Sequence, residues 1–311
     1  MSTQNQTGTQ TPPPAEEHRH ADLIARIAPV LFLVFWSSGF GFAKVGLQHA
    51  PPLTFLALRY GIIVVVFLPL FFILKAQAPA RAIGWLHIAV VGFLIQSVYF
   101  GLAYGGMNLG VSAGVTAVIA SMQPLLVALA SPFVTGERIN LVKWVGLILG
   151  AVGAIIVIVG SQTEEMGAAL DIGLILCVGS TVGMAAATLY QKRFPVKAHP
   201  VTINLIQYAV GLVTIAPMAL TFESGPVDWS TGLFVALGWL VVANSLISIS
   251  LLLFMLGRSE ASKVSALFFL IPPVAAVFGW VLLGEQLTLV AIAGMAIAGF
   301  GVWLVSRPQA A

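Results

Sequence analysis

Arg59 stands about seven residues inside an apolar stretch running from residue 52 to 74. Moving a guanidinium into hydrocarbon costs about 2.5–3.5 kcal/mol on insertion scales, so a carboxylate, backbone carbonyls or a wet cavity must meet it. Two chemistries are open to it. It attracts the carboxylate of a small molecule, or it snorkels outward and ties helix ends together. In a later apolar stretch Gln96, Tyr99, Phe100 and Tyr104 fall at i, i+3, i+4 and i+8, which is one helical face. Asn244 and Ser248 repeat that plan, and Trp36, Ser37, Ser38, Ser180, Thr181 and Met184 lie at similar depth in their own stretches. An amide on each side with aromatic walls suits a zwitterionic or neutral organic molecule. Hydrogen bonding between helices, worth about 0.6 kcal/mol per pair, is the plainer use of the same groups. The candidate binding set is Trp36, Ser38, Arg59, Gln96, Tyr99, Tyr104, Gln123, Met184, Asn244 and Ser248.

Other patterns are weaker. Gly110-Val111-Ser112-Ala113-Gly114 matches G-x-S-x-G, but it joins two apolar helices instead of a strand and a helix. The five histidines lie in the N-terminal tail or near the ends of apolar stretches, so no base stands ready at depth. There is no H-E-x-x-H, no Cys/His cluster and no phosphate-cradling Gly-Lys loop, so neither a metal nor a cofactor is expected, and no enzyme. Cys177 is the single cysteine and sits in an apolar run, as packing does. No Asp or Glu occupies the middle of any stretch, which disfavours a pump for lipophilic cations. Proton coupling would have to use Glu137 or Glu285, and Lys44 reads as a charge at the end of its stretch.

The elements that must hold these residues follow from composition. Charged residues make up 8% of the chain against roughly 25% in globular proteins, too few to cover a water-facing surface. Lipid is the expected solvent. Apolar stretches run near 28–47, 52–74, 85–107, 113–134, 141–160, 169–190, 200–221, 230–256, 263–283 and 288–306, each long enough to span a ~30 Å hydrocarbon core as helix. With the N-terminus inside, twelve of the fourteen Lys and Arg fall on the inner side, so both termini are expected in the cytoplasm. The net charge of +3 is too dispersed for nucleic-acid binding. Residues 1–27 open without an apolar leader segment and read as a disordered cytoplasmic tail.

Sliding the chain by 148 residues lays one half on the other without a gap. Lys44 then meets Lys192, Pro52 meets Pro200, Thr54 meets Thr202, Tyr60 meets Tyr208, Pro124 meets Pro272, and Gly136-Glu137 meets Gly284-Glu285. Gln96 falls opposite Asn244. Five stretches per half, an odd number, insert the second copy from the opposite side. The expected architecture is an all-α membrane protein of ten transmembrane helices, with five-helix repeats at 28–160 and 168–307 related by inversion around a central cavity. Pro124 and Pro272 each lack an N–H and are expected as kinks or hinges, freeing the carbonyls of Ala120 and Phe268. Gly146, Gly150 and Gly153, echoed by Gly294 and Gly301, allow close helix contact and would also serve a homodimer.

Phe35-Trp36-Ser37-Ser38-Gly39 with Lys44, Pro52 with Arg59-Tyr60, and Pro124 with Gly136-Glu137 together with their echoes resemble the EamA branch of the drug/metabolite transporter superfamily. The resemblance covers residues 28–307 and implies export of small metabolites such as amino acids from the cytoplasm across the inner membrane. The reading is therefore a secondary carrier working by alternating access. The alternatives are a drug efflux carrier and a sensor or scaffold that keeps the fold.

Overall fold

The computed structural model describes residues 15–134, 141–160, 168–248, 250–251, 255, 270–286 and 288–306, and no strand occurs among them. The helices are α1 (Ala15–Leu47), α2 (Pro52–Ile73), α3 (Ala82–Asn108), α4 (Ala113–Ser121), α5 (Gln123–Val134) and α6 (Leu141–Gly160). After these come α7 (Ala168–Arg193), α8 (Pro200–Phe222), α9 (Thr231–Ser248), α10 (Ile271–Leu283) and α11 (Leu289–Ser306). Among the described residues, seven apolar helical spans are long enough to cross a membrane, one of them, Ala113–Ala130, running through α4 into α5, and three shorter apolar ones, Leu141–Val157, Ile271–Leu283 and Leu289–Leu304, accompany them. Part of the stretches expected at 230–256 and 263–283, and all of Gly136-Glu137, lie outside the described residues.

The molecule is apolar on the outside. Val65, Phe72, Val213 and Leu220 are each at least two-thirds exposed, whereas Ser37, Ser38, Arg59, Gln96, Thr181 and Ser245 are buried. That inversion suits a lipid solvent, where exposed hydrocarbon is neutral and polar groups must find partners inside.

Two expectations change. Helix α1 starts at Ala15, so residues 15–27 of the expected disordered tail are helical; Ala15-Glu16-Glu17 are strong helix formers placed right after the Pro12–Pro14 run. The stretch at 113–134 is not one kinked helix but two, α4 and α5, separated by Met122. Pro124 is the second residue of α5, where its missing N–H leaves nothing unsatisfied, and Leu125 N–H bonds back to Met122 O at 2.9 Å. Pro272 likewise sits in the first turn of α10; Phe268, whose carbonyl it was expected to free, lies outside the described residues.

Helices α2 and α8 pack side by side and run antiparallel. The start of α2 meets the end of α8: Glu223 accepts the N–H groups of Leu53 at 2.8 Å and Thr54 at 2.7 Å, and the Thr54 hydroxyl at 2.8 Å. A carboxylate on free N–H groups at a helix N-terminus also answers the helix dipole. At the other end, Thr202 Oγ1 and His199 N–H each donate to Gln77 O at 3.0 Å, fixing the start of α8 beside the end of α2. Helices α6 and α11 form a second antiparallel pair. A side chain on Gly153 would strike the Ala298 and Gly294 backbone, and one on Gly301 would strike Gly150 and Gly146. The close helix contact expected of these glycines is made here, within the chain.

Helices α3 and α9 each widen into a π-helical segment, over Phe93–Tyr99 and Leu240–Ser248. These segments occupy matching places at the shift of 148 residues. Opened turns of this kind leave carbonyls under-used. Ser245 Oγ and Ser248 Oγ accordingly donate five residues back, to Leu240 O at 3.2 Å and Ala243 O at 2.8 Å.

Candidate functional site

The π-segments of α3 and α9 bring Gln96 and Asn244 to one cavity of about 200 Å³, bounded also by α1, α2, α7 and α8. Seven of the ten residues singled out in the sequence line it: Trp36, Arg59, Gln96, Tyr99, Tyr104, Met184 and Asn244. Three do not, each for a local reason. Ser38 is fully buried, donates to Phe35 O at 2.8 Å and accepts the Trp239 indole N–H at 2.8 Å, so it ties α1 to α9. Gln123 is turned aside to donate to Thr188 Oγ1 at 2.8 Å on α7. Ser248 is spent on its own helix.

Asn204, Gln207 and Tyr208 of α8 line the cavity without having been singled out. The repeat could have found one of them, since Gln207 falls opposite Arg59 at the shift of 148 residues. The same shift pairs Trp36 with Met184 and Gln96 with Asn244, and all six residues line the cavity.

Arg59 does not snorkel. It is 3% exposed. Nη1 donates to Tyr104 OH at 3.0 Å, Nη2 to Ser245 Oγ at 3.3 Å, and the guanidinium carbon stands 5.0 Å from the centre of the Phe100 ring. Hydrogen bonds from a charged group contribute about 1.5–3 kcal/mol each and a desolvated cation–π contact about 2, enough to offset the insertion cost of about 2.5–3.5. Arg59 is therefore tolerated in the cavity wall, although its Nε has no partner among the described residues. No carboxylate is among the described residues that line the cavity.

The surrounding groups are held firmly. Tyr60 OH donates to Gln96 O at 2.7 Å, and Tyr208 OH shares Ser245 Oγ at 2.9 Å. Tyr104 stacks on Phe55 and meets Phe100 edge-on. Asn244 lies over Gly39, where a Cβ would collide with its amide, and donates through Nδ2 to Trp36 O at 3.2 Å.

Beyond the cavity, Lys44 is not a lone charge. Its Nζ stands 3.3 Å from Glu285 and 2.6 Å from Val111 O, while Glu285 accepts the Ala113 N–H at 2.9 Å at the start of α4. The left-handed Gly284 (φ 67°) ends α10 and turns Glu285 into that place. Ser112 of the G-x-S-x-G match is the cap of α4, accepting Val115 N–H at 3.1 Å, which is a structural use of the hydroxyl.

The model of the EamA-like transporter family matches this chain twice, over residues 24–159 and 171–307. Over 294 residues the chain is 29% identical to the uncharacterized transporter YvbV of Bacillus subtilis, covering 90% of each protein. It is 24% identical over 293 residues to the probable amino-acid metabolite efflux pump of Escherichia coli K12, covering 89% of this chain and 93% of the relative. The protein of the same description from Salmonella typhimurium is 25% identical over 288 residues, covering 88% and 92%. One solved crystal structure shares the fold, with a TM-score of 0.61 at 17% identity over 92% of this chain and 96% of the other.

Proposed function

Because this chain belongs to the EamA-like transporter family, whose members are multi-pass membrane transporters and not enzymes, we propose that it is a secondary carrier exporting small carboxylate-bearing metabolites, amino acids foremost. The observation that carries this is Arg59, a buried cation in the cavity wall with no carboxylate among the described lining residues. A guanidinium so placed is preorganised for a forked contact with a carboxylate. Two relatives described as probable amino-acid metabolite efflux pumps support the substrate class.

Alternating access is supported by the same architecture. The family model matches once in each half, and α2 and α8, at matching places in the halves, run antiparallel, as two oppositely inserted five-helix copies require. Such copies can exchange conformations, which makes states open to either side close in energy. The excess of Lys and Arg on one side orients the carrier in the cytoplasmic membrane with both termini inside.

Efflux and counterflow from proteoliposomes with a labelled amino-acid panel test this reading. Exchange of at least one member, dependent on Arg59, is expected. Movement of none would overturn it.

A further inference from the structure

Gly92 lets α3 lie flush on α8. A Cβ there would stand 2.7 Å from Gln207 Cα, so any side chain would push the two helices apart. Gln207 lines the central cavity and also a second, small one of about 20 Å³, room for about one water, whose walls include His87, Val91, Gln191, Phe194 and Ile203. Here α3 is also fastened to the end of α7. The His87 ring stacks on Phe194 with 4.7 Å between centres, and His87 Nδ1 stands 2.9 Å from Tyr190 OH. With both termini inside, these groups sit toward the cytoplasmic ends of their helices.

The repeat relates this junction to the central cavity. At the shift of 148 residues Gly92 falls on Leu240, Gln207 on Arg59 and Gln191 on Ala43. Leu240, Arg59 and Ala43 all line the central cavity. One place in the fold is therefore chamber wall on the outer side and tightly packed on the inner side. Directly after Gly92 comes the π-segment Phe93–Tyr99, and widened turns of this kind are where helices bend.

We propose that the junction of α3, α7 and α8 is the door through which cargo enters from the cytoplasm, that Ala82–Gly92 is its moving leaf, and that this structure holds it shut. This rests on the carrier reading with alternating access and adds where the inner gate lies. When the leaf swings about the π-segment, Gly92 parts from Gln207, His87 leaves Tyr190 and Phe194, and the small cavity joins the large one past Gln207. Exchange of conformations between the inverted halves brings Leu240 down on Arg59 at the same time and closes the outer side.

The first test joins His87→Cys to Tyr190→Cys in full-length protein with a short thiol cross-linker that has a reducible spacer. Counterflow of an amino acid that the wild type moves should fall at least about tenfold once the thiols are consumed. Reduction cuts the spacer but leaves both arms attached, so recovery shows that the link and not added bulk arrests transport. Wild type treated alike should keep its rate, because Cys177 is buried. Counterflow that persists in cross-linked protein overturns the door and leaves the carrier reading standing. A wild type that moves none of the panel removes the carrier reading first, and the door with it. The second test needs no transport. Gly92→Ala should raise labelling of Ile203→Cys by an impermeant maleimide in inside-out vesicles at least about fivefold. Labelling of the cavity-lining Phe40→Cys from the outer side should fall in return, which local loosening would not produce. Cys177 should stay unreactive, as it would not in misfolded protein. Unchanged labelling of both cysteines overturns the proposal.

Discussion

Lys44 and Glu285, one from the end of α1 and the other from the corner after α10, stand 3.3 Å apart, and Glu285 at the same time accepts the N–H that opens α4. One carboxylate thus holds three helices together where α1 ends. The side chains are 21% and 16% exposed, so the pair is only partly screened by solvent.

Glu285→Gln should lower stability by about 1–3 kcal/mol, because it strips a partly buried ammonium of its partner while an amide oxygen still serves Ala113. Lys44→Met in the same background should cost less than the two changes summed. Thermal melting in detergent reads both, and strict additivity would show that the ion pair contributes nothing.

Arg59→Lys should cut transport by about tenfold or more, since an ammonium keeps the charge but not the planar fork. Flux normalised to inserted protein is the measurement. Full activity of the lysine variant would remove the forked contact from the mechanism.

Gly39→Ala places a methyl group against the Asn244 amide, which must swing off the Trp36 carbonyl. The unliganded melting point should fall by an amount equivalent to less than about 1 kcal/mol, because the obstacle is the end of a movable side chain. The substrate-induced shift should shrink severalfold. An unchanged shift would separate Asn244 from the ligand.

A pH effect is expected outside the membrane. Asp228 is held below the ordinary carboxyl value by hydrogen bonds from His49 and Ser230, with His49 Nδ1 at 2.8 Å. A carboxyl depressed in the folded state adds stability above its unfolded pKa of about 3.9, and that stability fades as pH falls through the lower folded value. Wild type should therefore melt higher than Asp228→Asn near neutrality, with the two curves converging below about pH 4. A gap that stays constant as the pH is taken well below that value would exclude the linkage.

How much of this was legible in the sequence depends on which kind of partner each residue found. Gln96, Tyr99 and Tyr104 were readable because helical spacing puts them on one face, and Asn244 because the repeat echoes Gln96. Ser38 and Ser248 misled because a small hydroxyl can satisfy itself on its own helix three or five residues back, which spacing alone does not reveal. Gln207 was not singled out although the repeat gives it the place that Arg59 has in the first half, because the sequence reading compared the halves at other positions. The π-segments were invisible to a reading that assumes 3.6 residues per turn throughout. The Lys44–Glu285 pair spans residues too distant for any local pattern to join them.

The seam between α6 and α11 has a consequence for how cargo reaches the cavity. With Gly153 on Ala298 and Gly301 on Gly150, the two backbones touch, and no acyl chain can wedge between them. That flank is a closed zipper in the bilayer. A hydrophobic molecule dissolved among the lipids would have to slip in at some other point on the perimeter, so bulky groups grafted along this edge should leave traffic through the protein undisturbed.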